Sequence, residues 1–420
     1  MSDVSKAWNI DDLRRMASRN VPKHFVDYLQ GGANSETTMQ SNRSNFAWWN
    51  LKQKVLAGIE ENATDLGTTY LGERHQLPVL LGPVGFAGMY HRNGEIAAGR
   101  AAEKAGIAQV LSTFSIASLE EVAQSHRGSL YFQLYVFRKR ELTEHMLERC
   151  RKAKIHTIFL TVDTPFAPVR ERDERNGFRA RTTLSPGMLL SMLRHPLWCI
   201  GALANGMPSV GNCRPYPELG KSLMEQSVNL GRMIDPTLAW SDIRWLRDRW
   251  EGKIVIKGIL DADDARRAID EGADGIVISN HGGRQLDPAP STISVLPEIA
   301  RAVGGRTEIL MDGGIRRGAD VLKALALGAT AVLIGRAYIY GLGAGGEKGV
   351  TRCLDLLREE MRPALNMMGF PTIDQLKLAG SDALRLRAPF ASTSRLAEND
   401  ATAGETQNAH VVAIRGSNVA

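Results

Sequence analysis

Eight short runs of β-branched and large apolar residues recur along the chain, and most are followed by a polar or glycine-rich turn and a helical pattern. The runs cover residues 78–84, 107–112, 130–135, 157–163, 253–258, 275–280, 308–312 and 331–335. Near-continuous apolar character is typical of strands that are buried on both faces, as in a parallel sheet. The amphipathic segments 94–105, 261–271 and 317–327, each ending near a glycine, predict helices between the strands.

The spacing of these runs predicts the architecture. Between polar residues at the ends of successive runs the chain covers about 23 to 31 residues, the length of a βα unit, except between the fourth run and the fifth. Eight such units predict a single closed (β/α)8 TIM barrel, because closure leaves no exposed edge strand. The one longer interval predicts an insertion after strand four, at about residues 172–240.

The barrel and its additions are expected to form one domain over residues 1–390. Ahead of the first strand lie a helical segment, 10–29, and an extension to about residue 77. Residues 391–420 are polar and small, which predicts a mobile C-terminal tail. Within the insertion, the apolar stretch at about 182–208 has two interpretations: a peripheral contact with a membrane, or a lid or subunit-contact helix.

Charge and cysteine content argue against several classes of protein. The net charge of +6 is spread along the chain without a nucleic-acid-binding motif, so we expect no nucleic-acid partner. The four cysteines are scattered and form no Cys-x-x-Cys pair, which predicts no metal site and a reducing compartment. The sequence shows neither a signal peptide nor a membrane-spanning run. We therefore expect a cytoplasmic protein, either free or peripheral on the inner face of the cytoplasmic membrane.

Polar and charged residues gather at the C-terminal ends of the predicted strands, where barrels of this kind hold their active sites. They are Gln133, Tyr135, Thr161, Asp163, Lys257, Ser279, Asn280, His281, Arg284 and Asp312. An acid, a lysine, a histidine and an arginine that converge on one mouth favour chemistry over packing. The loops at 312–318 and 334–336 combine glycines with arginines and predict a phosphate site.

Three further glycines match a dinucleotide-binding pattern. Gly341, Gly343 and Gly346 have the spacing G-x-G-x-x-G, but they follow a predicted helix instead of joining a strand to a helix. We interpret them as a turn that binds no dinucleotide.

Five segments carry a resemblance to a known family. They are 279–287 (Ser-Asn-His-Gly-Gly-Arg-Gln-Leu-Asp), 133–135 (Gln-Leu-Tyr), 161–163 (Thr-Val-Asp), 257–258 (Lys-Gly) and 312–316 (Asp-Gly-Gly-Ile-Arg). With these segments the chain resembles the FMN-dependent L-2-hydroxy acid dehydrogenases and oxidases over about residues 8–385. Residues 85–90 and 257–261 look most like those of the bacterial respiratory L-lactate dehydrogenases.

The resemblance implies a role for each matching position. The catalytic residues would be His281 as the base, Asp163 as its orienting carboxylate, and Lys257 beside the flavin. The 2-hydroxy acid would bind to Tyr28, Tyr135, Arg170 and Arg284. FMN would bind to Pro83, Val84, Gly85, Ser112, Gln133, Thr161, Lys257, Ser279 and Asp312, with its phosphate on Gly313, Gly314, Arg316, Gly335 and Arg336. No metal is implied.

The resemblance also implies the reaction, which is oxidation of an L-2-hydroxy acid. The main hypothesis is L-lactate to pyruvate with a quinone or cytochrome as electron acceptor; an oxygen-using oxidase and a mandelate-type dehydrogenase are alternatives. A different class would be a non-redox barrel that binds a phosphate-bearing ligand, or an FMN isomerase. Phe114 stands where glycolate oxidase has tryptophan, which implies a different pocket, and Gly85 stands where several oxidases have alanine, which favours a dehydrogenase. A homotetramer is also implied.

Overall fold

The eight predicted strands are present and close into a parallel barrel. The computed structural model describes residues 3–60, 63–175, 186–203, 208–220 and 222–387. The barrel strands are β1 (Val79–Leu81), β2 (Gln109–Ser112), β3 (Leu130–Leu134), β4 (Thr157–Thr161), β5 (Lys253–Ile259), β6 (Gly275–Ile278), β7 (Glu308–Met311) and β8 (Ala331–Ile334). Each strand pairs with its neighbours in the chain and β8 pairs with β1, so the prediction of a single (β/α)8 barrel is confirmed.

The pairing register brings polar residues to the same level at the C-terminal end of the barrel. Ser112 at the end of β2 lies opposite Gln133 on β3, and Thr161 at the end of β4 lies opposite Lys257 on β5. The register then shifts after Lys257. The next residue, Gly258, has a φ of +121°, and a Cβ there would lie 2.6 Å from the Cβ of Asp163. Glycine at this position therefore allows β5 to pass close to Asp163.

Side chains of the strands alternate between the barrel interior and the surrounding layer of helices. On β4, Phe159 belongs to the interior cluster, whereas Ile158 and Leu160 belong to the outer core. A short antiparallel hairpin, 68–75, precedes β1 and adds Tyr70 to the interior cluster. Because each strand is buried on both faces, it appears in the sequence as a continuous apolar run.

Helices surround the barrel and precede it in the chain. They are α1 (Ile10–Asn20), α2 (Lys23–Gln30), α3 (Thr37–Ser44), α4 (Gly94–Ala105), α5 (Leu119–Ser125), α6 (Arg140–Lys152), α7 (Glu171–Arg175), α8 (Pro186–Leu193), α9 (Pro196–Leu203), α10 (Leu223–Met233), α11 (Trp240–Arg247), α12 (Ala262–Asp270), α13 (Thr292–Val303), α14 (Gly318–Ala326), α15 (Arg336–Met367) and α16 (Ile373–Ala379). The helix predicted at 94–105 is α4, and it ends at Gly106 in the left-handed conformation. This is the C-cap that glycine favours.

The N-terminal extension contains separate helices where the sequence predicted one helical segment at 10–29. Helix α1 ends at Asn20 and α2 begins at Lys23, with Pro22 between them. Pro22 has no backbone N–H to donate to the preceding turn, so α1 cannot continue through it. Helix α3 follows, and the short strand Trp49–Leu51 then pairs antiparallel with Leu384–Leu386.

The insertion predicted after strand four separates β4 from α11. Its described parts include helices α7 to α10, while residues 176–185, 204–207 and 221 lie outside the described residues, as does the tail predicted at 391–420. Helices α8 and α9 fall within the apolar stretch. In the part of the chain that the structure describes, no helix has both the length and the apolar character needed to cross a bilayer.

Of the three glycines interpreted as a turn after strand eight, two lie within a helix, so the prediction of a turn was wrong for those two. Gly341 and Gly343 are helical residues of α15, and non-helical dihedral angles occur at Gly345 and Gly346. A Cβ on Gly341 would lie 2.3 Å from the backbone oxygen of Gly349. Glycine at 341 therefore permits close packing of the two halves of α15 across this kink.

Candidate active site

A cavity of about 1750 Å³ lies at the C-terminal ends of the barrel strands. All of the predicted site residues line it except Asp163 and Ser279. Those two are hydrogen-bonded to His281 and Lys257, which do line it. Pockets for small molecules typically enclose roughly 300–1,000 Å³. The cavity therefore has room for an extended cofactor together with a small substrate.

His281 and Asp163 form a hydrogen-bonded pair at the wall of this cavity. The Nδ1 atom of His281 lies 2.9 Å from Oδ1 of Asp163. The backbone of His281 has a φ of +56°, in the left-handed region, and its N–H donates to Oγ of Ser279 at 3.1 Å. Burial would raise the pKa of Asp163, but the charge and hydrogen bond of His281, and then the charge of Lys257, hold that pKa below its ordinary value. Asp163 therefore stays ionised, and its hydrogen bond engages Nδ1 of His281 and not Nε2.

Two arginines and two tyrosines gather at the same side of the cavity. The Nη1 atom of Arg284 donates to the backbone oxygens of Tyr28 at 2.7 Å and Gly31 at 2.9 Å, and its guanidinium lies 4.6 Å from the centre of the Tyr28 ring. Nη2 of Arg170 donates to the backbone oxygen of Arg284 at 3.4 Å. Burial, and then the charge of a nearby aspartate, raises the pKa of Tyr135 above its ordinary value. Tyrosine hydroxyls beside two guanidinium groups suit an anionic carboxylate.

Lys257 is buried at the end of β5 and keeps its charge. Its Nζ atom lies 2.8 Å from Oδ2 of Asp312 and donates to Oγ of Ser279 at 2.7 Å. Burial opposes the charged form, but the carboxylates of Asp312 and Asp163 outweigh it and hold the pKa of Lys257 above its ordinary value. A buried ammonium group of this kind can stabilise negative charge on a bound molecule.

Ser112, Gln133 and Thr161 also line the cavity, at or near the ends of β2, β3 and β4. Oε1 of Gln133 accepts hydrogen bonds from Oγ of Ser112 at 3.2 Å and from the backbone N–H of Thr113 at 3.3 Å. Two buried atoms, Nε2 of Gln133 and Oγ1 of Thr161, have no hydrogen-bond partner among the described residues. Because buried polar atoms in native proteins are nearly always satisfied, these two favour a ligand with a hydrogen-bonding edge. The FMN ring implied by the resemblance has such an edge and fits them.

The loops after β7 and β8 form a glycine cradle with arginines beside it. Gly313 and Gly314 have φ values of +96° and +80°, and a Cβ on Gly314 would lie 1.8 Å from the backbone oxygen of Asn42. Only glycine fits at 314, and such turns leave backbone N–H groups open to an anion. Burial lowers the pKa of Arg316 and, together with repulsion from neighbouring arginines, that of Arg336 to about 9. A dianionic phosphate would relieve this repulsion and fits the cradle.

Arg336 also makes three hydrogen bonds to the protein backbone that the sequence did not predict. Its Nε, Nη1 and Nη2 atoms donate to the backbone oxygens of Leu29, Gly282 and Gly31, each at 2.8 Å. A guanidinium has five N–H donors, so two remain for a phosphate. Arg336 therefore connects the end of α2 to the loop that carries His281.

A row of aromatic side chains also lines the cavity, and one member, Phe86, was not among the predicted site residues. Neighbouring rings in this row pack edge to face. The distance between ring centres is 6.2 Å for Tyr28 and Phe86, 5.7 Å for Phe86 and Phe114, and 5.6 Å for Phe114 and Tyr135. A Cβ on Gly85 would lie 2.9 Å from the Cβ of Phe114, so glycine at 85 lets the Phe114 side chain approach the backbone closely. The position of Phe86 directly after Gly85, in the loop that follows strand one, was the signal that could have found it.

Buried Glu95 at the start of α4 was missed as well, and it connects two loops of the site. Its Oε1 atom accepts hydrogen bonds from the backbone N–H groups of Gly88 at 3.1 Å and Ile116 at 2.9 Å. Burial raises the pKa of Glu95 above its ordinary value. Acidic residues are common in the first turn of any helix, so no sequence pattern marked this one.

Within the described ranges, no group of three or more His, Cys, Asp or Glu side chains is arranged to hold a metal ion. The four cysteines are free thiols, and Cys150, Cys213 and Cys353 are buried. Burial raises the pKa of each of these three thiols, which disfavours thiolate chemistry there.

This chain is similar to known proteins in both sequence and structure. Residues 17–382 match the family described as FMN-dependent dehydrogenase. The L-lactate dehydrogenase of Chromohalobacter salexigens is 43% identical over 388 residues, which cover 91% of this chain and 97% of that protein. The solved structure of the monotopic membrane protein (S)-mandelate dehydrogenase superposes with a TM-score of 0.86 at 40% identity, covering 91% of this chain and 100% of that one. The structure of a mandelate oxidase variant with (S)-mandelic acid superposes with a TM-score of 0.76 at 34% identity, covering 91% of this chain and 99% of that one.

These matches confirm the resemblance seen in the five sequence segments. They also confirm the FMN cofactor and the enzyme class, an oxidoreductase that acts on a CH–OH group. The family match begins within α1 and ends just after α16, so it includes every strand of the barrel. This chain belongs to the FMN-dependent dehydrogenase family.

Proposed function

We propose that this chain oxidises L-lactate to pyruvate. The observation that carries the proposal is the His281–Asp163 pair beside Arg170 and Arg284, because a 2-hydroxy acid needs a base next to a clamp for its carboxylate. The name of the Chromohalobacter salexigens relative, L-lactate dehydrogenase, supports lactate as the acid.

His281 would accept a proton from the substrate at Nε2. Its Nδ1 is hydrogen-bonded to Asp163, which orients the ring and would stabilise the imidazolium once it forms. The left-handed backbone at His281 costs on the order of 1–3 kcal/mol for a non-glycine residue. Such strain is typical of functional positions that the surrounding structure holds in place, which supports a role that depends on where the imidazole lies.

Arg170 and Arg284 would bind the substrate carboxylate, and the hydroxyls of Tyr28 and Tyr135 would complete its coordination. Two permanently charged guanidinium groups fix the position of an anion, and a base on one side of it then selects one enantiomer. Arg284 is held by hydrogen bonds to two backbone oxygens of the protein itself. This preorganisation lowers the entropy lost on binding.

Bound FMN supplies the two-electron acceptor for the reaction. Lys257 would stabilise negative charge on the cofactor, with Ser279 and Asp312 holding its ammonium group in place. The remaining residues that would hold the ring and the phosphate are Pro83, Val84, Gly85, Ser112, Gln133, Thr161, Gly313, Gly314, Arg316, Gly335 and Arg336. The unpartnered atoms of Gln133 and Thr161 support this assignment most directly.

Anaerobic mixing of the FMN-loaded protein with L-lactate tests the proposal, with loss of flavin absorbance as the readout. We expect L-lactate to reduce the protein and D-lactate to leave it oxidised. Reduction by glycolate or mandelate but not by L-lactate would change the assigned substrate. If no 2-hydroxy acid reduces the protein, a non-redox phosphate-binding barrel or an FMN isomerase becomes the better explanation.

A mandelate-type substrate is the second candidate, and the aromatic row favours it. Phe86 and Phe114 line the cavity between the two substrate tyrosines, and such rings pack well against an aryl group. The solved mandelate dehydrogenase and mandelate oxidase structures support this alternative. If these rings contact the side chain of the substrate, Phe114→Ala should raise KM for (S)-mandelate more than KM for L-lactate.

For the electron acceptor we propose a membrane quinone, with a cytochrome or oxygen as alternatives. Helices α8 and α9 lie within about 182–208 and expose the large apolar side chains of Leu189, Leu190, Leu193, Leu197 and Ile200. Clustered apolar side chains on short surface helices suit the interface of a bilayer. The solved mandelate dehydrogenase structure is that of a monotopic membrane protein, which supports a peripheral position on the cytoplasmic membrane.

Two measurements test this part of the proposal. The double variant Leu193→Glu, Leu197→Glu should stay in the supernatant when mixed with phosphatidylglycerol vesicles that sediment the parent, while its rate of flavin reduction by L-lactate stays the same. Equal sedimentation of parent and variant would contradict the membrane contact. Reduced enzyme should be reoxidised faster by a short-chain quinone than by oxygen, and the opposite order would make the protein an oxidase.

A further inference from the structure

Helix α3 lies between the loop that carries His281 and the loop that carries Gly314, and it contacts both. At its first turn, the N–H of Thr38 donates to Oδ1 of Asp287 at 2.7 Å, and the Thr38 hydroxyl donates to the backbone oxygen of Leu286 at 3.3 Å. The start of α3 is therefore fastened to the segment that follows His281.

At the other end of α3, the side chain of Asn42 forms a reciprocal pair of hydrogen bonds with Asn280. Nδ2 of each amide donates to Oδ1 of the other at 2.8 Å, and the two residues are 2% and 4% exposed. On its own loop, Asn280 accepts from the N–H of Gly283 at 3.1 Å and donates to the backbone oxygen of Pro290 at 3.0 Å. The Asn280 amide thus bridges the loop around His281, and Asn42 completes its hydrogen bonds.

Asn42 also contacts the phosphate cradle. Its Oδ1 atom accepts from the N–H of Thr292 at 3.3 Å, and the Thr292 hydroxyl donates to the backbone oxygen of Asp312 at 2.6 Å. The backbone oxygen of Asn42 is the atom that excludes a Cβ at Gly314. Asn42 does not line the cavity, so any effect it has on the reaction must pass through these neighbours.

We propose that Asn42 is a positioning residue for the base. Its side-chain amide holds Asn280, and Asn280 in turn holds the left-handed backbone of His281, so that the imidazole stays hydrogen-bonded to Asp163. A non-glycine residue in the left-handed region relaxes unless its neighbours hold it. Displacing a reacting group by about 1 Å lowers a rate by about 10²-fold. This inference rests on the proposed function, because it takes His281 to be the base.

The test compares Asn42→Ala with Gln40→Ala, a similar shortening at an exposed position on the same helix. In the FMN-loaded protein, Asn42→Ala should slow flavin reduction by saturating L-lactate by about tenfold to a hundredfold, while KM and FMN affinity change by less than about threefold. Gln40→Ala should match the parent. Asn42→Asp keeps the acceptor oxygen but places a second oxygen against Oδ1 of Asn280, so it should slow flavin reduction at least as much as Asn42→Ala. A parental rate in both Asn42 variants would overturn the proposal.

A second comparison separates positioning from general support of the fold. In a His281→Gln background, Asn42→Ala should slow flavin reduction by less than about threefold more, because the amide acts through the imidazole that is already gone. An equal fold loss in both backgrounds would show that Asn42 acts elsewhere and would overturn the proposal.

Hydrogen exchange in the FMN-loaded protein gives an answer that needs no substrate. Asn42→Ala should speed exchange of the backbone amides of His281 and Gly283 by about tenfold or more, and leave those of β4 unchanged. Parental exchange at both amides would overturn the proposal. If no 2-hydroxy acid reduces the parent, the proposed function fails, and the exchange rates alone then decide whether Asn42 holds this loop.

Discussion

Changing Asp163 to asparagine removes the negative charge beside His281 and leaves the shape of the side chain almost unchanged. The nitrogen and oxygen of the pair are 2.9 Å apart, so the centres of charge lie roughly 4 Å apart. At an effective dielectric constant of about 20, charges at that distance attract by about 4 kcal/mol, and each 1.36 kcal/mol is a factor of about ten in rate. The imidazolium is only partly formed in the transition state. We therefore expect Asp163→Asn to slow flavin reduction by about 10²- to 10³-fold.

Stopped-flow measurement of anaerobic flavin reduction at several L-lactate concentrations provides the assay. FMN affinity should stay near the parental value, because Asp163 does not line the cavity. Asp270→Asn is the matched control, since it makes the same chemical change in a surface ion pair with Arg306. Such pairs contribute about 0–1 kcal/mol, and the control should reduce at the parental rate. A loss of less than about threefold in Asp163→Asn would refute the role of this carboxylate.

The same variant should also change how stability depends on pH. The pKa of Asp163 is lowered in the folded protein, so its carboxylate stabilises the fold above the ordinary pKa of about 3.9. That contribution is lost as the pH falls through the lower folded value. Urea unfolding at a series of pH values should therefore show a difference in unfolding free energy between parent and variant at about pH 5 that shrinks below about pH 4. A difference that grows as the pH falls would contradict this.

Three further predictions concern the clamp, the phosphate cradle and the buried lysine. Arg284→Met should raise KM for L-lactate by about tenfold or more, because a charge-assisted hydrogen bond is lost; an unchanged KM would remove Arg284 from the clamp. Gly314→Ala should lose FMN on gel filtration, because the new Cβ would clash with the backbone oxygen of Asn42. The control Gly305→Ala, at a glycine with a similar φ and no atom within 4 Å of an added Cβ, should keep its FMN; equal FMN retention by the two variants would count against the cradle. Lys257→Met should have a lower melting temperature than the parent. The difference in melting temperature should narrow above about pH 10, because a lysine with a raised pKa stabilises the fold through its charged form, which is lost as the pH rises. A difference that widens above about pH 10 would contradict this.

The barrel could be predicted because burial on both faces of a strand leaves a continuous apolar run in the sequence. The same runs do not mark where the strands end, since β1 stops at Leu81 while the apolar run continues to residue 84. Residues 82–85 already belong to the loop that lines the cavity. The break between α1 and α2 is explained by Pro22, which lacks the backbone N–H that a continuous helix would need there.

The site could be predicted only where a motif or a strand end marked it. His281 and Asp163 are 118 residues apart, and the resemblance, not local pattern, paired them. Asn42 and Asn280 are 238 residues apart and share no motif, so nothing in the sequence linked them. The backbone contacts of Arg336 depend on where α2 packs, which is a tertiary property that no local pattern records.

The central claim, that His281 is the base facing bound FMN, is tested most directly by anaerobic reduction of the parent and of His281→Gln by L-lactate. We predict that both proteins retain FMN, that the parent loses its flavin absorbance, and that the variant does so about a hundredfold or more slowly. Reduction of the variant at the parental rate would contradict the account.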